Sequence, residues 1–299
     1  MLDLEGRQWI LDANAAYRRS LAADTQHDLA DRALDMPGSL TADGPGSQSL
    51  RALVDFARAA IGTQRDVWVK AGLLLEVDRV LMLPPIVRPG KIIMVGSNYR
   101  KSAAPQTRPQ TFAAFAKFAS CLVGHDQPVT YPAFSNQFDY EAELGVVIGR
   151  TCKNISPQEA GDVIAGYLIL NDLSMRDLLA TEKQIGAVLF GKNADTSLPA
   201  GPFLVTRDEI LDPQALTIEC WVNGELRQSD TTANMIFPIG EIVARLSRLT
   251  LEPGDIIGTG SPGGSGIGWD PPERGLLKIG DVVEVAISGL GRLRNHIVA

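Results

Sequence analysis

Asp139-Tyr140-Glu141-Ala142-Glu143-Leu144-Gly145-Val146-Val147-Ile148-Gly149 is the stretch from which the fold is best read. Side chains two apart in a strand face the same side. Glu141 and Glu143 therefore stand together at the start of an otherwise apolar strand that Gly149 closes. Other short runs repeat the signal on either side. Lys91–Val95 ends at Gly96, and the runs Asp255–Thr259 and Asp281–Ile287 each follow a Gly-Asp turn. Thr217–Val222 leads into Asn223-Gly224, which predicts a hairpin, because both central residues of a type I′ turn need positive φ. Two helices interrupt these strands. Ser156-Pro157-Gln158-Glu159 fits a capping box with proline at the first helical position. Ile239, Ile242, Val243, Leu246 and Leu249 form an apolar stripe read as core packing. The βαβ alternation of a parallel sheet is missing, so the predicted class is α+β, mostly β, with few helices.

The beginning of the chain differs. Residues near 8–34 and 49–62 read as amphipathic helices, with Leu50, Leu53, Phe56, Ala57 and Ala60 at helical spacing in the second. A junction is expected at Leu83-Pro84-Pro85 and Arg88-Pro89-Gly90, because such pairs punctuate structure. The division is therefore a small N-terminal region over 1–86 and a larger domain over 87–299. A length of 299 residues allows one large domain or two ordinary ones, and 45% hydrophobic residues suffice for a core. The N-terminus lacks the basic start and apolar stretch of a signal peptide, and no apolar run is long enough to cross a bilayer. A cytoplasmic location is expected. Cys121, Cys152 and Cys220 form no CxxC pair and read as buried thiols. A net charge of −7 without a basic run argues against nucleic acid or anionic membrane as partner.

Glu-x-Glu alone also fits a solvated strand end. Asn171-Asp172-Leu173-Ser174-Met175-Arg176-Asp177, after the apolar run Tyr167–Leu170, shifts the balance toward a metal centre. An aspartate at the end of a strand is a usual metal ligand. Arg176, one helical turn on, is placed to orient Asp172 or a substrate carboxylate. Three carboxylates without a nearby histidine or cysteine suit Mg²⁺ or Mn²⁺. Lys192, in Gly191-Lys192-Asn193-Ala194-Asp195-Thr196, is either surface decoration or, near a metal, a group that stabilises an enolate or carboxylate oxygen. Gly258 to Gly263 matches GxGxxG, but Pro262 and the following Gly-rich, Trp-Asp-Pro-Pro stretch do not open a helix. Dinucleotide binding is rejected, and a backbone loop that contacts a substrate carboxylate is expected instead.

These motifs, taken in order, resemble the fumarylacetoacetate hydrolase family. They are Gly96-x-Asn98-Tyr99, Asp139-Tyr140-Glu141-x-Glu143-Leu144, Asn171-Asp172-x-Ser174-x-Arg176-Asp177, Gly191-Lys192-x-x-Asp195-Thr196, Gly201-Pro202, Val222-Asn223-Gly224-Glu225, Gly254-Asp255-Ile256-Ile257-x-Thr259-Gly260-Ser261-Pro262 and Gly280-Asp281-Val282-Val283. The resemblance runs from Lys91 to the last residue. It implies a roll of layered mixed β-sheets, a homodimer, and Mg²⁺ or Mn²⁺ on Glu141, Glu143 and Asp172. It also implies catalytic roles for Lys192 and Arg176, with substrate contacts from Asn98, Tyr99, Tyr140, Lys192, Thr259, Gly260 and Ser261. The implied substrate is a small keto acid, in settings such as aromatic catabolism.

The sequence departs from the family pattern at one place. The lid histidine expected three residues after Asn98-Tyr99 is Ser102, followed by Ala103-Ala104-Pro105-Gln106, so its acidic partner is missing too. Leu179 stands where many members carry glutamine. Of the three histidines, His27 and His296 read as structural or surface residues, and His125 is a loop residue. The leading expectation is metal-dependent hydrolysis of a C–C bond in an acylpyruvate or other β-diketo acid. The alternative is decarboxylation or keto–enol isomerisation of a 2-keto acid, which needs enolate stabilisation but no hydrolytic water. A ligand-binding protein that lost activity with the dyad is the reading from another class.

Overall fold

The computed structural model describes residues 2–4, 7–12, 45–100 and 112–299. They fall into two compact units, Met1–Leu81 and Met82–Ala299. The first holds β1 (Leu2–Leu4), β2 (Arg7–Leu11), α1 (Pro45–Lys70) and β3 (Leu74–Glu76). The three strands pair antiparallel in the order β1-β2-β3. Leu53, Ala57 and Ile61, one helical turn apart, are buried on α1 with Trp68, Leu73 and Leu74. The side chains of Leu50, Phe56 and Ala60 lie outside the described residues. Where the sequence suggested a helix near 8–34, Arg7–Leu11 is a strand, and 13–44 lie outside the described residues. A short apolar run such as Trp9-Ile10-Leu11 does not separate helix from strand by periodicity, and pairing on both edges decides it.

The second unit opens with β4 (Ile92–Gly96), β5 (Ala113–Lys117), β6 (Leu122–Val123), β7 (Pro128–Thr130), β8 (Phe138–Asp139) and β9 (Ala142–Ile148). The one-turn helix α2 (Ala160–Val163) follows, then β10 (Ile164–Asn171), β11 (Ser174–Met175), α3 (Arg176–Gln184) and β12 (Leu198–Thr206). The chain finishes with β13 (Thr217–Val222), β14 (Glu225–Thr231), α4 (Ile239–Leu246), β15 (Ile256–Gly258), β16 (Val282–Ile287) and β17 (Gly291–Val298). A seven-stranded mixed sheet runs β5-β4-β15-β9-β10-β12-β6, and a five-stranded one runs β14-β13-β16-β17-β7. One core joins them, with Val146 and Ile169 of the first sheet and Cys220, Val285 and Leu293 of the second in a single buried cluster.

Every residue of β9 is buried, which explains its unbroken apolar run: a strand covered on both faces has no solvent side to alternate with. Asn223 and Gly224 close the β13–β14 hairpin at φ of 52° and 79°, as the turn chemistry predicted. The two helix expectations fared differently. Ile239, Ile242, Val243 and Leu246 are buried on α4, whereas Leu249 lies beyond its end and is exposed. Glu159 Oε2 accepts from both N and Oγ of Ser156, the capping contact, yet it introduces only a single turn. Ile164 must already pair with Ile148, so sheet pairing stops the helix. No helix among the described residues is long and apolar enough to cross a membrane.

Candidate active site

Sheet register builds the site. Strands β9 and β10 are antiparallel neighbours, with Leu170 opposite Glu143 and Asn171 opposite Ala142. The Asp172 N–H donates to Glu141 O at 2.8 Å, and the Glu141 N–H donates to Asn171 Oδ1 at 3.0 Å. The start of one strand and the end of the next are thus locked side by side. One carboxylate oxygen from each of Glu141, Glu143 and Asp172 lies within 4.8 Å of the others. Glu143 is 2% and Asp172 1% exposed.

Three cations surround this group. Lys192 Nζ lies 2.5 Å from Glu141 Oε2 and 2.6 Å from Asp172 Oδ2. Lys117 Nζ, fully buried at the end of β5, lies 2.9 Å from Asp172 Oδ1 and also donates to Ser197 O. Arg176 does not reach Asp172. It opens α3, with Nε on Asp139 Oδ2 at 2.6 Å and Nη2 on Glu141 Oε1 at 2.7 Å. Asp139 is itself held by the N–H groups of Tyr140, Gly266 and Ile267. The sequence reading had Arg176 orienting Asp172 or a substrate carboxylate. The two residues of β11 intervene, so Arg176 orients Glu141 while Lys117 and Lys192 orient Asp172. Lys117 went unread: it sits in Ala-Phe-Ala-Lys-Phe, which has no motif character, and its partner is 55 residues away.

The carboxylates differ electrostatically. Burial pushes Glu141 up, but the adjacent Lys192 and Arg176 charges outweigh it and bring its pKa down to about 2. Glu143 is driven well above the ordinary range by burial and by the neighbouring Asp172 and Glu141. It accepts from the Gly260 N–H at 3.0 Å, and among the described residues no cation forms an ion pair with it. Burial alone would lower the pKa of Lys192, but Asp172 and Glu141 raise it, so it is an ammonium.

The Gly-rich stretch after β15 serves this carboxylate. A Cβ on Gly258 would stand 2.6 Å from Glu143 Oε2, and one on Gly260, at φ of 95°, would stand 2.7 Å from the Asn98 Cβ. Only glycine lets the backbone come this close. The Gly260 N–H is therefore spent on Glu143 rather than left open to a substrate carboxylate. Asn98 is also fully engaged, donating to Phe237 O and Thr259 O and accepting from the Phe237 N–H. Thr259 Oγ1 donates to Leu144 O, and Tyr140 Oη to Gly264 O.

A cavity of about 710 Å³ opens over the carboxylates. Tyr99, Lys192 and Ser261 line it together with Glu141, Glu143, Asp172 and Arg176. Asn98, Tyr140, Thr259 and Gly260 are not among its lining and brace the wall from behind. Leu179 gives the cavity an apolar side. Tyr99 is 6% exposed, and its hydroxyl has no hydrogen-bond partner. Burial, with Glu143 and Asp230 nearby, pushes this phenol well above its usual range, so it stays protonated. His125 is absent from the lining. Its Nδ1 accepts from the Arg294 N–H beside β17. Ser102 lies outside the described residues.

The donor set fits a hard divalent cation. Three buried oxygens converge, and one of them, on Glu143, forms no ion pair among the described residues. That arrangement is costly for carboxylates alone and is relieved by a metal.

Residues 91–298 match the family described as fumarylacetoacetate (FAA) hydrolase C-terminal. The chain belongs to the fumarylacetoacetate hydrolase family. Its relatives include the mitochondrial oxaloacetate tautomerase fahd2 of Xenopus laevis, 38% identical over 252 residues, 83% of this chain and 78% of that one. Among solved structures, 5-carboxymethyl-2-hydroxymuconate delta-isomerase from Mycobacterium smegmatis aligns with a TM-score of 0.65 at 34% identity, over 75% of this chain and 82% of that one. Maleylpyruvate hydrolase from Sphingobium sp. SYK-6, in complex with manganese (II) ion and pyruvate, aligns with a TM-score of 0.67 at 30% identity, over 93% and 91%. The chain is an enzyme of the fumarylacetoacetate hydrolase superfamily. Tautomerases and isomerases recur among its relatives, which fits the isomerisation alternative better than the C–C hydrolysis with which the sequence reading led.

Proposed function

We propose that this family member is a keto–enol tautomerase of a short 2-keto acid of the oxaloacetate kind, dependent on Mg²⁺ or Mn²⁺. One observation carries the reading: Glu141, Glu143 and Asp172 converge beneath a cavity that Lys192 enters as an ammonium. The tautomerase names among the relatives support it, as do the manganese and pyruvate bound in the maleylpyruvate hydrolase structure. The missing lid histidine supports it as well. Tautomerisation moves one proton between C3 and the C2 oxygen and breaks no C–C bond, so it needs no activated water.

Glu141, Glu143 and Asp172 would hold the cation, which when bound supplies Lewis-acid polarisation of the keto acid oxygens. The residues around it do the rest. Arg176 and Asp139 fix the rotamer of Glu141, and Lys117 fixes Asp172. Lys192 brings positive charge to the side of the cavity where an enolate oxygen gathers negative charge. Tyr99 offers a neutral hydroxyl donor with no competing partner among the described residues. Leu179 and Phe115 keep part of the wall apolar, which strengthens these charge interactions.

Enol-oxaloacetate ketonisation, followed by ultraviolet absorbance with Mg²⁺ or Mn²⁺, tests the reading alongside acetylpyruvate turnover followed by product mass. The expected result is metal-dependent ketonisation with slow acetylpyruvate cleavage. Glu141→Ala and Asp172→Ala should abolish both Mn²⁺ binding and activity. Fast acetylpyruvate cleavage without accelerated ketonisation would return the hydrolase reading.

A further inference from the structure

Charge around the cavity is not used up by the centre just described. Counted as fully ionised, Glu141, Glu143, Asp172 and Asp139 bring four formal negative charges, and Lys117, Arg176 and Lys192 three positive ones. A divalent cation turns the balance to one positive charge, which the carboxylate of a bound 2-keto acid neutralises. Two further cations, Arg100 and Lys183, line the same cavity. Both are exposed, and neither side chain has a hydrogen bond or ion pair among the described residues. The acids lining the cavity among those residues are Glu141, Glu143 and Asp172 alone, all committed to the centre. On a chain of net charge −7, two cations lining one cavity without acidic partners among the described residues are a surplus that a bound anion would use.

Their placement says which anion. Arg176, Leu179 and Lys183 lie at i, i+3 and i+7 of α3 and all face the cavity. The helix rises about 10 Å between Arg176 and Lys183. Helical side chains lean toward the N-terminus, so Lys183 reaches back over Leu179 toward the carboxylates. Arg100 enters the lining from a different segment, directly after Tyr99, where the Arg100 N–H donates to Asn234 O at 3.1 Å. Arg100 and Lys183 are exposed where Glu143 and Asp172 are buried, and Leu179 and Val188 add an apolar stretch to the same cavity.

We infer that Arg100 and Lys183 bind the distal carboxylate of the substrate, so that the enzyme selects short 2-keto dicarboxylates over 2-keto monocarboxylates. This rests on the tautomerase reading for the keto acid head at the metal, and it adds two residues to which the sequence motifs assign no role. A carboxylate at the mouth of the cavity keeps Arg100 and Lys183 partly solvated. Each is then worth a few-fold to about tenfold in affinity rather than the larger factor of a buried pair.

Two non-enolisable probes separate head from tail: N-oxalylglycine carries the oxalyl head and a second carboxylate, whereas oxamate carries the head alone. Titration calorimetry on the Mn²⁺-loaded protein should show N-oxalylglycine preferred over oxamate by about tenfold or more, a preference that weakens as salt rises. Arg100→Met and Lys183→Met should each shrink that ratio about three- to tenfold, and Lys183→Glu should invert it. Both residues are exposed, so folding is not at stake. A ratio near one in the wild type, or one unchanged in both methionine variants, overturns the distal-carboxylate site and leaves the tautomerase reading standing. Failure of both probes to bind the loaded protein sinks the two together.

Discussion

Removing the ammonium of Lys117 would leave the buried Asp172 Oδ1 without that donor, whereas Ser197 O keeps the Leu173 N–H. Lys117→Met keeps the volume and deletes the charge, so the loss is electrostatic. Breaking one side of a buried pair costs about 3 kcal/mol, and loss of a group that orients a metal ligand lowers affinity about 10- to 100-fold. Denaturant unfolding of the metal-free protein and calorimetric Mn²⁺ titration read the two effects, and an unchanged Mn²⁺ affinity would leave the positioning of Asp172 to Lys192 alone. The residues that converge here were legible in unequal measure. Glu141 and Glu143 could be paired from strand periodicity, and Asp172 from its place after an apolar run. Lys117 could not be found, because its role comes from tertiary packing. Asn98, Tyr140, Thr259 and Gly260 stood out as motif, but a motif does not say whether a side chain faces the cavity or braces its wall. His125, read from sequence as a loop residue, has a structural role with its own pH signature. Burial, reinforced by Arg294 and opposed by Asp126, holds its pKa below 6.5, so the folded protein binds this proton less tightly than the unfolded chain. Its share of stability is complete above pH 6.5 and is lost as pH falls toward the folded value. Melting at pH about 8 and about 5.5 should show a smaller acid-induced drop for His125→Gln, whose side-chain oxygen can still accept from Arg294. An equal drop would place the titration elsewhere.

At the scale of elements, the strands were read more surely than the helices. The runs ending at Gly96, at Gly149 and at Asn223-Gly224 appear within a residue of their expected bounds, since buried strands leave a continuous apolar mark. Helix signals were local and could be overridden. The capping contact of Ser156 and Glu159 forms, but β10 claims the chain one turn later. The stripe on α4 holds because its four buried residues meet a core supplied by both sheets. Ile242 is fully buried in that core. Ile242→Ala should destabilise the protein by about 3 kcal/mol, transfer and cavity terms together, whereas Leu249→Ala, on an exposed side chain past the helix end, should change stability by less than about 0.5 kcal/mol. Urea unfolding of the two variants decides this, and equal losses would mean that the stripe extends beyond α4.

For the whole molecule, the family resemblance led us to propose a homodimer, which a monomer mass by light scattering at micromolar concentration would overturn. The metal has a molecular consequence that does not depend on assembly. Its would-be ligands come from the start of β9 and the loop after β10, and the cations that hold them come from β5, α3 and the loop before β12. A cation bound there ties together elements separated in sequence and relieves the repulsion that Glu143 bears from Asp172 and Glu141. An ion that binds only the folded chain stabilises it by about 2.7 kcal/mol at a hundredfold excess over its dissociation constant. For a domain of this size each kcal/mol raises Tm by about 2–4 °C. Mn²⁺ at such excess should therefore raise Tm by about 5–10 °C over chelator-treated protein. Glu141→Ala should lose that increment, because the remaining hard oxygens no longer offset dehydration of the ion. If Tm of the wild type is the same with chelator and with Mn²⁺, or if Glu141→Ala gains as much as the wild type, the three carboxylates are not the metal site, and Lys192 would then be a structural partner of Glu141 and Asp172 rather than a group held for the substrate.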